Sequence, residues 1–176
     1  MATRIRESTN IAVNVTERSV TYTANTLFQV FLRLVAFREL SPEYIIKDRE
    51  IIENGLFAWL AEQTLEKVYL EVYTESGSEA IERWDFDIIY EASSNKKTRK
   101  PPLQQLEQIT SKLKSLPDDT KYRIVVHTSP GAVKVPGWHP TELRQLNESQ
   151  REEFNGWGYG NISVGFTYRG GKGGKS

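Results

Sequence analysis

The chain has 176 residues, enough to bury a hydrophobic core in one domain, and its shares of hydrophobic (38%) and charged (26%) residues are those of a soluble globular protein. Lys plus Arg (23) equals Asp plus Glu (23), which argues against a partner held mainly by net charge, such as nucleic acid or an anionic membrane surface. With no cysteine, disulfides, thiolate catalysis and cysteine zinc sites are excluded together, and the composition fits a reducing cytoplasm.

The N-terminus MATRIRESTN is polar and carries no apolar stretch of the kind that marks a secretory signal, so it is expected to be mobile. No apolar run anywhere is long enough to span a bilayer. IAVNV (11–15) alternates weakly, as a short strand would. From Ser19 to about Leu40 a helix is predicted, apolar at Val20, Ala24, Leu27, Phe28, Phe31, Leu34 and Val35, with Val30, Leu32, Ala36 and Phe37 on its other sides. A helix apolar nearly all round is a central one. Ser41-Pro42 opens a second helix over roughly 42–53, Asn54-Gly55 reads as its stop, and 56–65 as a further helical segment.

Two alternating strands follow, about 67–73 and 81–90, joined by the turn Glu75-Ser76-Gly77-Ser78. Val68, Leu70 and Val72 share a face of the first; Trp84, Phe86, Ile88 and Tyr90 share a face of the second. The opposite faces are expected to meet water, which makes Asp85 and Asp87 solvated surface charge rather than metal ligands. The basic loop with Lys96, Lys97, Arg99 and Lys100 precedes a helix opened by Pro101-Pro102 and striped by Leu103, Leu106, Ile109, Leu113 and Leu116. TKYRIVVHT (120–128) is a strand. Beyond it glycine, proline and tryptophan become frequent, 141–154 has the pattern of a short helix, 161–168 that of a strand, and 170–176 is a flexible Gly/Lys tail. Segregated helices and antiparallel strands indicate an α+β domain in two layers. The tail lacks the early glycine and following helix of a phosphate loop, and the two histidines, His127 and His139, have no cysteine and no G-x-S-x-G elbow to work with.

The element order, the hairpin KVYLEVYTESGSEAIERWDFDIIYE with its R-W-x-F-D-I, and the AVKVPGW that follows YRIVVHT together resemble a HORMA domain, and the compact length resembles the bacterial branch of that family. In the spindle-checkpoint members the corresponding tryptophan stands one residue farther from the proline than Trp138 stands from Pro136. The resemblance implies an antiparallel sheet packed on helices, with residues 1–15 as a mobile segment, a HORMA-like domain over 16–169, and a C-terminal safety belt over about 131–169 pivoting near Pro130-Gly131. It implies a non-enzymatic adaptor, without cofactor or metal, whose belt closes over a closure-motif peptide that adds a strand to the sheet edge. The peptide-binding residues would then be Tyr122, Arg123, Ile124, Val125, Val126, His127 and Thr128 on the edge strand, and Val133, Val135, Trp138, Trp157, Tyr159, Ile162, Val164 and Phe166 in the belt.

Bacterial members of this kind stand in anti-phage operons of the CBASS type. The partners so implied are a cGAS/DncV-like nucleotidyltransferase, activated by the closed form, and an AAA+ ATPase that resets it by gripping residues 1–15. A second HORMA protein is a further possible partner. The residues alone leave other readings open: 120–128 as a central strand paired on both sides, the tryptophans as ordinary loop anchors, a eukaryotic-type HORMA adaptor of checkpoint, meiotic or repair complexes, or a small hydrolase built on His127.

Overall fold

The computed structural model describes residues 8–15, 19–77, 79–90, 103–113, 115–144 and 151–157. The elements are β1 (Ser8–Val15), α1 (Val20–Phe37), α2 (Glu43–Lys47), α3 (Arg49–Ala61), β2 (Leu65–Thr74), β3 (Ala80–Tyr90), α4 (Leu103–Ser111), β4 (Thr120–Thr128) and β5 (Arg151–Trp157). The sheet order is β4-β2-β3-β1-β5. β2 pairs antiparallel with both β3 and β4, whereas β1 is parallel to both β3 and β5.

The helices cover one sheet face. Leu27, Phe28, Phe31, Leu34 and Val35 of α1 are wholly buried, and Phe31 meets Phe86 edge to face at 5.9 Å between ring centroids. The alternation predicted for the hairpin holds, since Val68, Leu70, Val72, Trp84 and Phe86 all turn to this layer. A buried indole N–H must find an acceptor. That of Trp84 donates to Glu82 at 2.8 Å, and Glu82 in turn receives Arg38 from the end of α1. Burial pushes the Glu82 carboxyl up, and the Arg38 guanidinium opposes it. The ERW triplet therefore ties α1 to β3 as well as filling the core.

Four expectations need correction. Ser8–Val15 is a full strand with Ile11 and Val13 at 0% exposure, so the second half of the expected mobile segment is an interior strand between β3 and β5. Residues 1–7 lie outside the described ones. The helical break falls at Asp48, not at Asn54-Gly55, and Gly55 sits inside α3; Leu65 belongs to β2. The sheet face opposite the helices is not simply wet. Asp85 is 2% exposed and holds Arg83 at 2.6 and 2.8 Å, and Glu71, Arg123 and Val125 are buried beside it. Finally, 141–144 has no helix and 151–154 lie in a strand, so the helix expected over 141–154 is absent from both ends of that span; 145–150 lie outside the described residues. The basic loop, 161–168 and the tail lie outside the described residues.

Candidate functional site: a strapped sheet edge

β4 forms where Tyr122, Ile124 and Val126 alternate with Arg123, Val125 and His127. The first set is buried toward the helices at 4%, 2% and 5% exposure. Tyr122 fixes the strand to the helical layer by donating its hydroxyl to the Ser41 carbonyl at 2.6 Å, and burial pushes its phenol well above the usual range. Among the described residues β4 pairs with β2 alone, so its other side is a sheet edge. His127 is half exposed, with its Nε2 3.1 Å from Glu66 on β2.

The chain leaving β4 turns back along α3. Ser129 N–H donates to Thr64 O at 2.8 Å, Val133 O accepts the Trp59 indole N–H at 2.7 Å, and the Trp138 indole N–H reaches Ile51 O at 2.9 Å. The Trp59 and Trp138 rings meet edge to face at 5.0 Å. Trp138 lies so close over Gly55 that a Cβ there would stand 2.6 Å from its Cε2 and 2.9 Å from its Cζ2. This close approach explains a glycine inside a helix, where the residue otherwise costs stability.

Two Pro-Gly pairs set the path of this segment. Ala132 N–H returns to Ser129 O around Pro130-Gly131, and Trp138 N–H returns to Val135 O around Pro136-Gly137. Gly131 and Gly137 have φ of 85° and 91°. Proline at the second position and a positive φ at the third is the pattern of a type II turn, which favours glycine there.

Three residues after Trp138 the chain is on the other sheet face. Thr141 Oγ1 accepts from Arg123 Nη1 at 2.9 Å, and the Glu142 carbonyl accepts from Arg123 Nη2. Arg144 donates to the buried Glu71 through its backbone N–H at 2.8 Å and its Nη1 at 2.9 Å, and its guanidinium lies over the Tyr73 ring. A stretch of three residues reaches only about 10 Å. The chain therefore passes from the helix face to the opposite face around the open edge of β4. Residues 129–144 form a strap across that edge. Between strap and strand lies a cavity of about 400 Å³, walled by Trp59, Val126, His127, Thr128, Ala132, Val133, Lys134, Val135, Trp138, His139 and Pro140.

The structure thus brings Val126, His127, Thr128, Val133, Val135 and Trp138, all expected from the sequence, to one cavity. Tyr122, Arg123, Ile124 and Val125 stand farther along β4 and outside its lining. Trp157 lies in β5, where its backbone pairs with Val13, on the sheet edge away from β4. Tyr159, Ile162, Val164 and Phe166 lie outside the described residues. Trp59, Glu71, Thr141 and Arg144 were not anticipated as part of the site. Glu71 alone carried a signal, an acid set between the apolar Leu70 and Val72 in the middle of its strand. Among the described residues no group of His, Asp and Glu could hold a metal ion, and no helix is long and apolar enough to cross a membrane.

A helix-backed antiparallel hairpin plus edge strand, strapped by its own C-terminal segment, defines a fold class with known representatives. A chain in the crystal structure of the mitotic checkpoint complex superposes with a TM-score of 0.57 at 13% identity, covering 74% of this chain and 86% of that one. C. elegans HTP-1 bound to HTP-3 motif-1 superposes with a TM-score of 0.59 at 12% identity, covering 90% and 94%. At such identities the likeness is one of fold. No curated protein sequence matches the chain. Residues 8–162 match the family described as Bacterial HORMA domain 2, and the chain belongs to that bacterial HORMA family.

Proposed function

We propose that this chain is a peptide-binding adaptor, and that a short closure-motif peptide adds a strand to β4 and is held there by the strap. The observation that carries this reading is the strap itself. A sheet edge with unpaired backbone groups recruits an extended chain, and here the end of β4 lines an open cavity of about 400 Å³ whose other walls come largely from the protein's own strap. Backbone hydrogen bonds net only about 0.5–1.5 kcal/mol each. A strap closed over the ligand acts mainly on its escape, which is where affinity differences usually lie. The two indole N–H groups at the cavity are already satisfied within the chain, so its walls offer ring surface rather than donors. This favours an apolar anchor side chain on the peptide. The fold neighbour HTP-1, bound to a motif of HTP-3, is a precedent for this type of complex.

Membership of a bacterial family supports a bacterial setting over a checkpoint or meiotic one. In our reading the closed form binds and activates a cGAS/DncV-like nucleotidyltransferase in anti-phage defence, and an AAA+ ATPase resets it from the N-terminus in the cytoplasm. Since 8–15 is built into the sheet, such an ATPase would have to extract β1 to continue past residue 7. The half-exposed His127–Glu66 pair gives no support to the hydrolase alternative.

The test is a peptide-display selection on the full chain and on one ending at Ser129, followed by reconstitution with the nucleotidyltransferase. A consensus recovered only by the full chain, losing affinity when alternate backbone amides are N-methylated, is expected. Equal retention by the truncated chain would remove the strap from the mechanism. Unchanged nucleotidyltransferase turnover with the peptide-loaded protein would remove the signalling step.

A further inference from the structure

We propose that Glu71 is the catch of the strap: one buried carboxylate, gripped by Arg123 from the edge strand and by Arg144 from the strap, that sets how long the strap stays closed. The inference rests on the peptide-adaptor reading for its consequence, but its geometry stands apart from any peptide.

Glu71 lies on the middle strand of β4-β2-β3, on the sheet face opposite the helices, and is 0% exposed. A carboxylate so placed is unfavourable unless it is paired and hydrogen-bonded. It has three donors. Arg123 Nε lies at 2.6 Å, Arg144 Nη1 at 2.9 Å and the Arg144 backbone N–H at 2.8 Å. Two of the three come from the strap. Arg123 is divided the same way: its Nε goes to Glu71, while Nη1 goes to Thr141 and Nη2 to the Glu142 carbonyl. Lifting the strap therefore strips Glu71 of two donors and Arg123 of two acceptors in one event. Arg144 also leaves the face of Tyr73, on which its guanidinium stacks at 3.6 Å.

Because these contacts are linked through Glu71 and the Arg123 guanidinium it holds, they fail together rather than one at a time. The strap is then closed or open, with little in between, unlike a segment held by scattered apolar contacts. Trp138 and Trp59 grip it on the helix face and the Glu71 catch on the other, so the edge is spanned between two fixed ends. Glu71, Arg123 and Arg144 are positioning residues, acting on the peptide through the strap and not by contact with it.

The test is hydrogen exchange on the full chain, together with the dissociation rate of a display-selected peptide, for Arg144→Met, Arg144→Lys and Glu71→Gln. Arg144 is partly exposed and its loss leaves Glu71 paired with Arg123, so Arg144→Met keeps the question answerable if Glu71→Gln does not fold. Truncating one partner of a buried charge pair acts on the off-rate, and Arg144→Met is expected to speed exchange at 132–143 and peptide release by about thirtyfold. β2 and β4 should stay protected, and Arg144→Lys should recover part of the effect. Unchanged strap exchange in Arg144→Met, or exchange that rises equally throughout the sheet, overturns the catch. If the strap loosens selectively but no variant, wild type included, retains any peptide, the catch stands and the peptide reading falls. If the wild type retains peptide and strap exchange does not move, the reverse holds.

Discussion

Single side chains in this protein are placed by what approaches them from far along the chain. Gly55 is the sharpest case. Within α3 an alanine would stabilise the helix by up to about 1 kcal/mol, yet its Cβ would stand within 3 Å of the Trp138 ring. Gly55→Ala is therefore expected to trade helix for strap. Losing the edge-to-face contact of Trp138 with Trp59 is worth about 0.5–1.5 kcal/mol, so exchange at 132–138 should rise up to about tenfold while α3 itself becomes no less protected. An unmoved strap would show that Trp138 tolerates the extra carbon. Tyr122 gives a second residue-scale expectation. Burial raises its phenol's pKa in the folded state, so the folded chain keeps a proton that the unfolded chain loses above about pH 10. The unfolded state then binds fewer protons, and stability must fall as pH rises past that point, by up to about 1.4 kcal/mol per pH unit for this group. Thermal melts from neutral pH to about pH 11 should show that alkaline decline. Tyr122→Phe should make it shallower while costing about 0.5–1.5 kcal/mol at neutral pH through the lost bond to Ser41. An unchanged alkaline slope would place the decline elsewhere; Tyr90, buried and raised in the same direction, is then the next group to replace.

Among the elements, legibility followed periodicity. α1, the hairpin and β4 could be read from the sequence because each has one apolar face repeating at a helical or strand period, and burial follows that face. The boundaries that misled are those where a distant contact overrode local preference. Asn54-Gly55 has the chemistry of a helix stop, but the glycine answers to Trp138 and the helix runs through it. The acids and bases of the hairpin's second face have the alternation of a solvent face, yet Glu71 there is buried, with residues 141–144 bonded to it and to Arg123 beside it on β4. A period of two shows that a strand has two faces, but not what covers the second. The strap was legible in composition: its Pro-Gly pairs, both before a residue that donates back across the turn, are local chemistry. Its course around β4 was not, since it depends on partners more than seventy positions away in sequence, such as Glu71 for Arg144.

For the molecule as a whole, the least legible feature carries the largest mechanical consequence. The strand β1 stands between β3 and β5, parallel to both, so among the described residues β5 joins the sheet through β1 alone. The chain leaves β4 at one edge of the sheet and re-enters as β5 at the other, with the strap between. Parallel pairing needs a long connection and cannot be read from adjacent sequence. A weak alternation in IAVNV was all that marked the strand, although Ile11, Val13 and Val15 are among the most deeply buried residues of the core. A mobile tail would tolerate truncation of these side chains; a core strand would not. Ile11→Ala is expected to cost about 2–5 kcal/mol, a large part of the roughly 5–15 kcal/mol that holds a domain of this size. The loss should appear as an earlier cooperative melt, with exchange at β5 rising before exchange at β2, because β5 has β1 as its partner in the sheet and β2 does not. Equal stability of Ile11→Ala and the wild type would return this segment to the role of a handle. An early melt confined to β1 and β5 would show that these two strands open as one unit, so that traction on the N-terminus releases β5 without first breaking the β2–β3 hairpin.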